Sequence, residues 1–280
     1  MSEISEKKTA VRDFYQQVGW EQRADGVFAD ALLFEDLREV SRAYRHQCHL
    51  RVNRHLPPAG KFLLDVASGP LQYPEYLTYH EHFDYRLCVD ISAVALTEAR
   101  KRLGPRGLYV LADITDLPFK DQSLDGAISL HTIYHVPAAR QERAFTELYR
   151  VLRPGGRAAV VYSWGRHSRL MQVLLFPFQV CKLLLKPARN FLRRRRPPAG
   201  LGLYFHAHHR HWLEQKLRPR FPYEILVWRS VSVAFLKIFV HQRLGGERLL
   251  SWLYRLEERY PRFFGKIGQY PLIVFARPRE

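Results

Sequence analysis

Between residues 61 and 164, short apolar, β-branched runs alternate with longer stretches of helical period, the pattern of a βαβ parallel sheet. KFLLDVA predicts a first strand, followed by a turn at Ser68, Gly69 and Pro70 and a helical segment through Tyr76 and Leu77. YRLCVDI predicts the second strand. SAVALTEARKRLG predicts a helix with Ser92 as its N-cap and Gly104 as its stop. GLYVLADI and LDGAISLH predict strands three and four. AARQERAFTELYRVL sets Leu148 and Leu152 on one helical face and should end at Pro154, Gly155 and Gly156, before a fifth strand RAAVVYSW. YEILVWRSVSV and YPLIVFARP add two more strands near the C-terminus. The fold class expected is α/β, a doubly wound, seven-stranded Rossmann-like sheet, which binds ligands beyond the carboxyl ends of its strands.

Around that core the pattern divides the chain into an N-terminal helical cap (1–57) with two helical periods, a ligand-binding core (58–164), a cap insertion (165–222), and closing strands interrupted by a second helical insertion at about 234–266. The longest apolar run, residues 170–185, falls short of the roughly 20 residues needed to cross a bilayer and contains Pro177 and Lys182.

Charge sharpens this division. The chain has 44 Lys and Arg against 27 Asp and Glu, a formal +17. Residues 1–164 carry 21 of each sign, so the whole excess lies in residues 165–280, with 23 basic and 6 acidic side chains. With 47% apolar and 25% charged residues, the composition is that of a globular chain and excludes a low-complexity one. Cys48, Cys88 and Cys181 are odd in number and widely spaced, which predicts reduced thiols and a cytoplasmic setting. The start, MSEISEKKTAVRDF, has no apolar stretch of a secretory signal.

The segment richest in chemistry is LLDVASGPLQYP, at the end of the first strand. Small residues there let backbone N–H groups approach a ligand closely. Asp90 follows Asp65 by 25 residues and ends the second strand, where a carboxylate can accept both hydroxyls of a ribose. The positions of a pyrophosphate-cradling G-x-G-x-x-G are Ala67, Gly69 and Gln72 instead, so an adenosine-type ligand other than a dinucleotide is expected.

With LLDVASGP, CVDIS, LADITDLPF and ELYRVLRPGG in this order, residues 60–164 resemble the class I S-adenosylmethionine-dependent methyltransferases, nearest to the small-molecule subgroup (methyltransferase type 11) that includes the ubiquinone and menaquinone methyltransferases. Two positions depart from the first motif: Ala67 and Leu71 stand where glycines are usual. The resemblance implies S-adenosyl-L-methionine as cofactor. Asp65, Ala67 and Gly69 would surround its methionine and ribose portions, and Asp90 would hold the ribose hydroxyls. Ile91 and Ile114 would pack on the adenine, Asp113 would accept from its amino group, and Leu130 would line the pocket. The function expected is methyl transfer to a small, apolar or amphipathic acceptor (a lipid, quinone or phenolic metabolite). The alternatives are a non-catalytic S-adenosylmethionine-binding protein, or a methyltransferase acting on nucleic acid.

Methyl transfer asks mainly for positioning, and for a base only if the acceptor must lose a proton. After strand four, SLHTIYHVP offers His131 as a base or acceptor contact, His135 as a weaker candidate that is more readily structural, and Tyr134 as an acceptor contact or packing residue. Trp164, ending strand five, is the other acceptor-side candidate. Tyr15 and Trp20 would close over the cofactor or pack in the core.

The basic half combines the apolar LMQVLLFPFQVCKLLL with Arg193, Arg194, Arg195 and Arg196, the arrangement of an interfacial helix. At about 1 kcal/mol per cation, four arginines supply on the order of 4 kcal/mol toward an anionic membrane. Insertion of Leu174, Leu175 and Phe178 would add to it, placing residues 170–196 peripherally on the inner face of a membrane; a substrate lid over the sheet is the competing expectation. Nucleic acid ranks third, since no recognisable motif for it accompanies the charge. His206, His208, His209 and His211 lack Cys or carboxylate partners at ligand spacing, so no metal is expected, only a polar helix start with Trp212 buried.

Overall fold

Every apolar run of the central stretch becomes a strand. The computed structural model describes residues 3–184 and 203–279, with 179–184 described by backbone alone. The strands are β1 (Gly60–Val66), β2 (Phe83–Asp90), β3 (Gly107–Leu111), β4 (Leu124–Leu130), β5 (Leu152–Val161), β6 (Tyr223–Arg229) and β7 (Tyr270–Ala276). They form one sheet in the order β3-β2-β1-β4-β5-β7-β6. All neighbours are parallel except β7, which runs antiparallel to both β5 and β6. The order reverses between β1 and β4, so the ligand crevice of this doubly wound sheet opens beyond the carboxyl ends of those two strands.

Helices cover both faces, and strand alternation assigns the residues to each. Leu64, Ala127, Ala158 and Val160 pack toward α5 (Gln141–Val151) and α7 (Arg210–Lys216), against Phe145, Leu148, Leu213 and Leu217. Leu63, Ile128, Ala159 and Val161 face the other way, onto α3 (Glu39–Leu50), α8 (Val233–Phe239) and α9 (Gly246–Arg259), whose Val40, Tyr44, Leu236 and Leu250 complete that layer. α4 (Ala93–Leu103) starts where expected, its N-cap Ser92 Oγ accepting from the Ala95 N–H at 3.4 Å, and stops at Gly104 with φ +58°.

Three expectations are corrected. α5 ends at Val151, before Pro154-Gly155-Gly156, because Leu152 already pairs with Leu124; the Gly pair sits in an irregular stretch of β5, with Gly155 at φ +78°. The N-terminal cap holds three helices, α1 (Glu3–Phe14), α2 (Ala29–Phe34) and α3, with a π turn at Tyr15–Gly19, where two helical periods were read. α6 (Arg169–Leu184) turns Leu170, Met171 and Leu175 inward and leaves Val173 (71% exposed), Phe176 (63%) and Phe178 outward; Leu175 is therefore a packing residue. Arg193 to Arg196 lie outside the described residues.

The N-terminal cap and the second insertion are bolted together by a buried acid. Glu257 on α9 accepts from the Tyr44 hydroxyl (2.6 Å), the Arg51 guanidinium (2.8 Å) and the Ser230 N–H (2.9 Å). The His-rich segment serves α7: the His209 ring caps it by accepting from the Trp212 N–H at 3.2 Å, and His208 stacks on Trp212 at 4.0 Å. Trp212 is half-buried. Among the described residues no group of three or more His, Cys, Asp or Glu side chains is disposed to hold a metal. Cys48 and Cys88 are free and buried, their thiols pushed up to about 12 by burial, which keeps them unreactive.

Candidate active site

Two cavities meet at the carboxyl ends of β1, β2 and β4. One, of about 730 Å³, is bounded by Ile91, Leu111, Asp113, Ile114 and Pro118 and covered by Ile4 and Lys8 of α1. The other, of about 700 Å³, runs from the turn after β1 past Leu130 and His131 to Arg229 and Tyr270 at the far strands. Ala67, Asp90, Ile91, Thr132 and His135 line both.

The turn after β1 keeps the backbone of a glycine-rich loop although two of its residues carry side chains. Ala67 (φ +55°), Gly69 (φ +56°) and Leu71 (φ +55°) all adopt the left-handed conformation. Leu71 is fully buried and packs with Leu96, Ala99 and Leu103, which compensates for the strain. A Cβ on Gly69 would stand 2.9 Å from the Trp20 ring, so the indole lies directly on this turn, stacked on Tyr15 at 4.8 Å.

Asp90 is buried at the centre of the arrangement. Its oxygens accept from the Gly69 N–H (3.0 Å) and the Ser92 N–H (2.8 Å), and burial raises its carboxyl to about 6. Among the described residues no cation pairs with it, which leaves a hydrogen-bond acceptor of high strength facing both cavities. Asp65 differs: Oδ2 takes a two-pronged ion pair from the buried Arg86, which also donates to the Tyr76 carbonyl. Burial still holds the Asp65 carboxyl above its ordinary value against the pull of Arg86. Asp113 accepts from the Thr115 N–H (2.8 Å) and pairs with Lys8 (2.6 Å); burial opposes its charge, but these partners outweigh it and the carboxyl sits below its ordinary value. Ile114 is buried below that loop.

Beyond β4, His131 adopts φ +58°, its ring edge-on to Trp228 (4.5 Å) and Tyr270 (5.3 Å) and its Nδ1 3.2 Å from the Tyr134 hydroxyl. Burial, with Arg229 nearby, keeps the imidazole neutral far below its ordinary range. The His135 Nδ1–H donates to the Tyr204 carbonyl at 2.7 Å, and burial lowers that ring to about 4. Trp164 needs correction: it is 1% exposed, lines neither cavity, and donates its indole N–H to the Gly265 carbonyl (2.8 Å) of α10 (Pro261–Ile267). It is a core residue, because β7 and α10 close over the end of β5.

Sequence reasoning passed over Asp30, Glu35, His49, Arg229 and Tyr270, all lining the cavity that runs to the far strands. Arg229 is 2% exposed and donates Nη1–H to Glu35 at 2.6 Å, while its buried Nε–H has no hydrogen-bond partner among the described residues. One signal pointed to it: a charge ending an apolar strand, as Asp90 ends β2.

Residues 64–160 match the methyltransferase domain family. Among curated proteins, the ubiquinone/menaquinone biosynthesis C-methyltransferase of Roseobacter denitrificans is 33% identical over 147 residues, covering 50% of this chain and 58% of that protein. Sterol methyltransferase-like 1 of Botryococcus braunii is 42% identical over 120 residues, covering 41% of this chain and 30% of that protein. The chain thus spans about half the length, or less, of these relatives. A solved geranyl diphosphate C-methyltransferase from Streptomyces coelicolor superposes with a TM-score of 0.56 over 97% of this chain and 98% of that one at 16% identity, a likeness of fold.

Proposed function

In fold, and in the domain that its residues 64–160 match, the chain belongs to the class I S-adenosylmethionine-dependent methyltransferases, and we propose that it methylates a small, apolar or amphipathic acceptor. The observation that carries this is the pair of cavities joined at Ala67, Asp90 and Ile91. The cavity under α1 fits an adenosine: Ile91 and Ile114 offer apolar faces to a purine and Asp113, braced by Lys8, an acceptor for its amino group. Asp90 fits a ribose, a buried carboxylate with no cation partner among the described residues, beside the Gly69 turn on which the Trp20 indole lies. Ala67, Gly69, Asp65 and Leu130 then border the methionine end.

When bound, S-adenosylmethionine supplies a methyl group made electrophilic by its sulfonium. The chain's own work is to bind, orient and exclude water. His131 and Tyr134 hold each other beside the acceptor end, and the neutral imidazole serves there as a contact, since its protonated form is strongly disfavoured. Tyr73, Tyr76, Phe34 and Tyr270 give that end an aromatic wall, and the Arg229 Nε–H a donor for an acceptor oxygen. Relatives named for quinone and sterol methylation support an apolar acceptor. Calorimetric titration should give saturable binding of S-adenosylmethionine, and incubation with quinol, phenolic and prenyl acceptors should release S-adenosylhomocysteine. Binding without release from any of them would favour a non-catalytic binder, and absence of binding would refute the assignment.

The outward Val173, Phe176 and Phe178 of α6, in the half of the chain that carries the charge excess, support acceptor delivery from an anionic membrane surface. No described helix is long and apolar enough to cross a membrane. The protein should sediment with phosphatidylglycerol-containing vesicles at low salt, stay free with phosphatidylcholine alone, and be released as salt rises. Equal recovery from both vesicle types would count against it.

A further inference from the structure

Of the acids lining the cavity that runs to Arg229, Asp30 has the fewest partners among the described residues. Glu35 has Arg229, Asp65 has Arg86, and Asp90 has two backbone N–H groups. Asp30, on α2, accepts among the described residues only the Gln72 amide N–H at 2.9 Å. Tyr15 of the π turn, Tyr73, Tyr76 and Tyr134 line the same cavity, Glu35 adds a like charge, and no cation forms an ion pair with Asp30 among the described residues. Burial accordingly pushes its carboxyl up to about 6. Such a charge is costly unless a ligand brings the opposite one.

Two further groups are unsatisfied at the same place. Among the described residues the buried Gln72 Oε1 has no hydrogen-bond partner, and neither has the buried Trp20 indole N–H; both residues line this cavity beside the Gly69 turn. Two acceptors and one donor match an α-amino acid head, with its ammonium and carboxylate.

We propose that Asp30, held in place by Gln72, binds the α-ammonium group at the methionine end of the cofactor, with the Trp20 N–H serving its carboxylate. This rests on the cofactor reading above and places the anionic anchor of that end in the N-terminal cap rather than on Asp65, which already has Arg86. The cap thereby becomes part of the cofactor site.

The test compares three ligands by calorimetry on Asp30→Asn: S-adenosylmethionine, S-adenosylhomocysteine and 5′-methylthioadenosine, which lacks the amino acid head. Affinity for the first two should fall about tenfold while that for methylthioadenosine stays within about twofold, and the ligand-free variant should melt no lower than the wild type at pH 7. Wild-type affinity for the two head-bearing ligands should weaken more steeply than that for methylthioadenosine as pH drops below about 6. Unchanged affinity for the head-bearing ligands, or an equal loss for all three, overturns the proposal. Failure of the wild type to bind any of them strikes at the cofactor reading itself.

Discussion

Replacing Arg86 with Met is expected to lower folding stability by about 3–5 kcal/mol at pH 7. The guanidinium is fully buried between β2 and the segment after β1, and it donates to Asp65 and to the Tyr76 carbonyl. Met fills similar space but leaves the buried Asp65 carboxylate without its counter-charge, and the loss of pairing far exceeds the value of any exposed ion pair. The sign of the pH dependence follows. Burial already raises the Asp65 carboxyl, and without Arg86 it rises further. A carboxyl whose folded value lies above its unfolded one contributes stability that is lost as pH rises through the folded value, so the deficit of Arg86→Met should shrink as pH is lowered from 7 toward 5. Urea denaturation at both pH values checks this, with Asp65→Asn/Arg86→Met as the control that removes the orphaned charge and should recover part of the loss. A deficit below about 1 kcal/mol, or one independent of pH, would show that the pair does little for the fold.

The parts of the fold that were legible in the sequence are those set by local pattern. β1, β2 and β4 are marked by their apolar residues because both faces of the parallel sheet are covered along them, and Ser92 and Gly104 bound α4 through capping chemistry that acts within a few residues. The turn after β1 was legible despite Ala67 and Leu71, since the chain retains the left-handed backbone at both. What the sequence hid depends on distance along the chain. Glu35 and Arg229 are 194 residues apart, and neither segment alone marks the other as its partner. Asp30 sits in a short helix whose apolar neighbours dominate the pattern, and its importance emerges only when the cap folds onto Gln72. Trp164 departs from its expected place for the same reason: the end of β5 would open on the crevice if β7 did not return antiparallel beside it, with the Trp164 backbone N–H donating to the Gln269 carbonyl.

Asp90→Ala should weaken S-adenosylmethionine binding by about 2–3 kcal/mol, roughly 30- to 150-fold in Kd, while moving the melting temperature of the ligand-free protein little. The two effects separate because the carboxylate has opposite roles in the two states. In the free protein it is a buried charge raised to about 6, so its removal relieves a desolvation cost that offsets the loss of its bonds to the Gly69 and Ser92 N–H groups. In the complex it is the acceptor proposed for two ribose hydroxyls, and hydrogen bonds to a charged group in a sheltered site contribute most. Asp90→Asn, which keeps one acceptor oxygen, should lie between alanine and wild type. As pH falls below about 6 the wild-type carboxyl gains a proton that binding must displace, so affinity declines; in Asp90→Ala the contribution of this group to that decline is absent, leaving only that of Asp30. Calorimetry at pH 7.5 and 5.5 on the three proteins decides it. An alanine variant that binds as tightly as wild type would remove Asp90 from the cofactor site and return it to the role of a carboxylate that ties the turn after β1 to the start of α4.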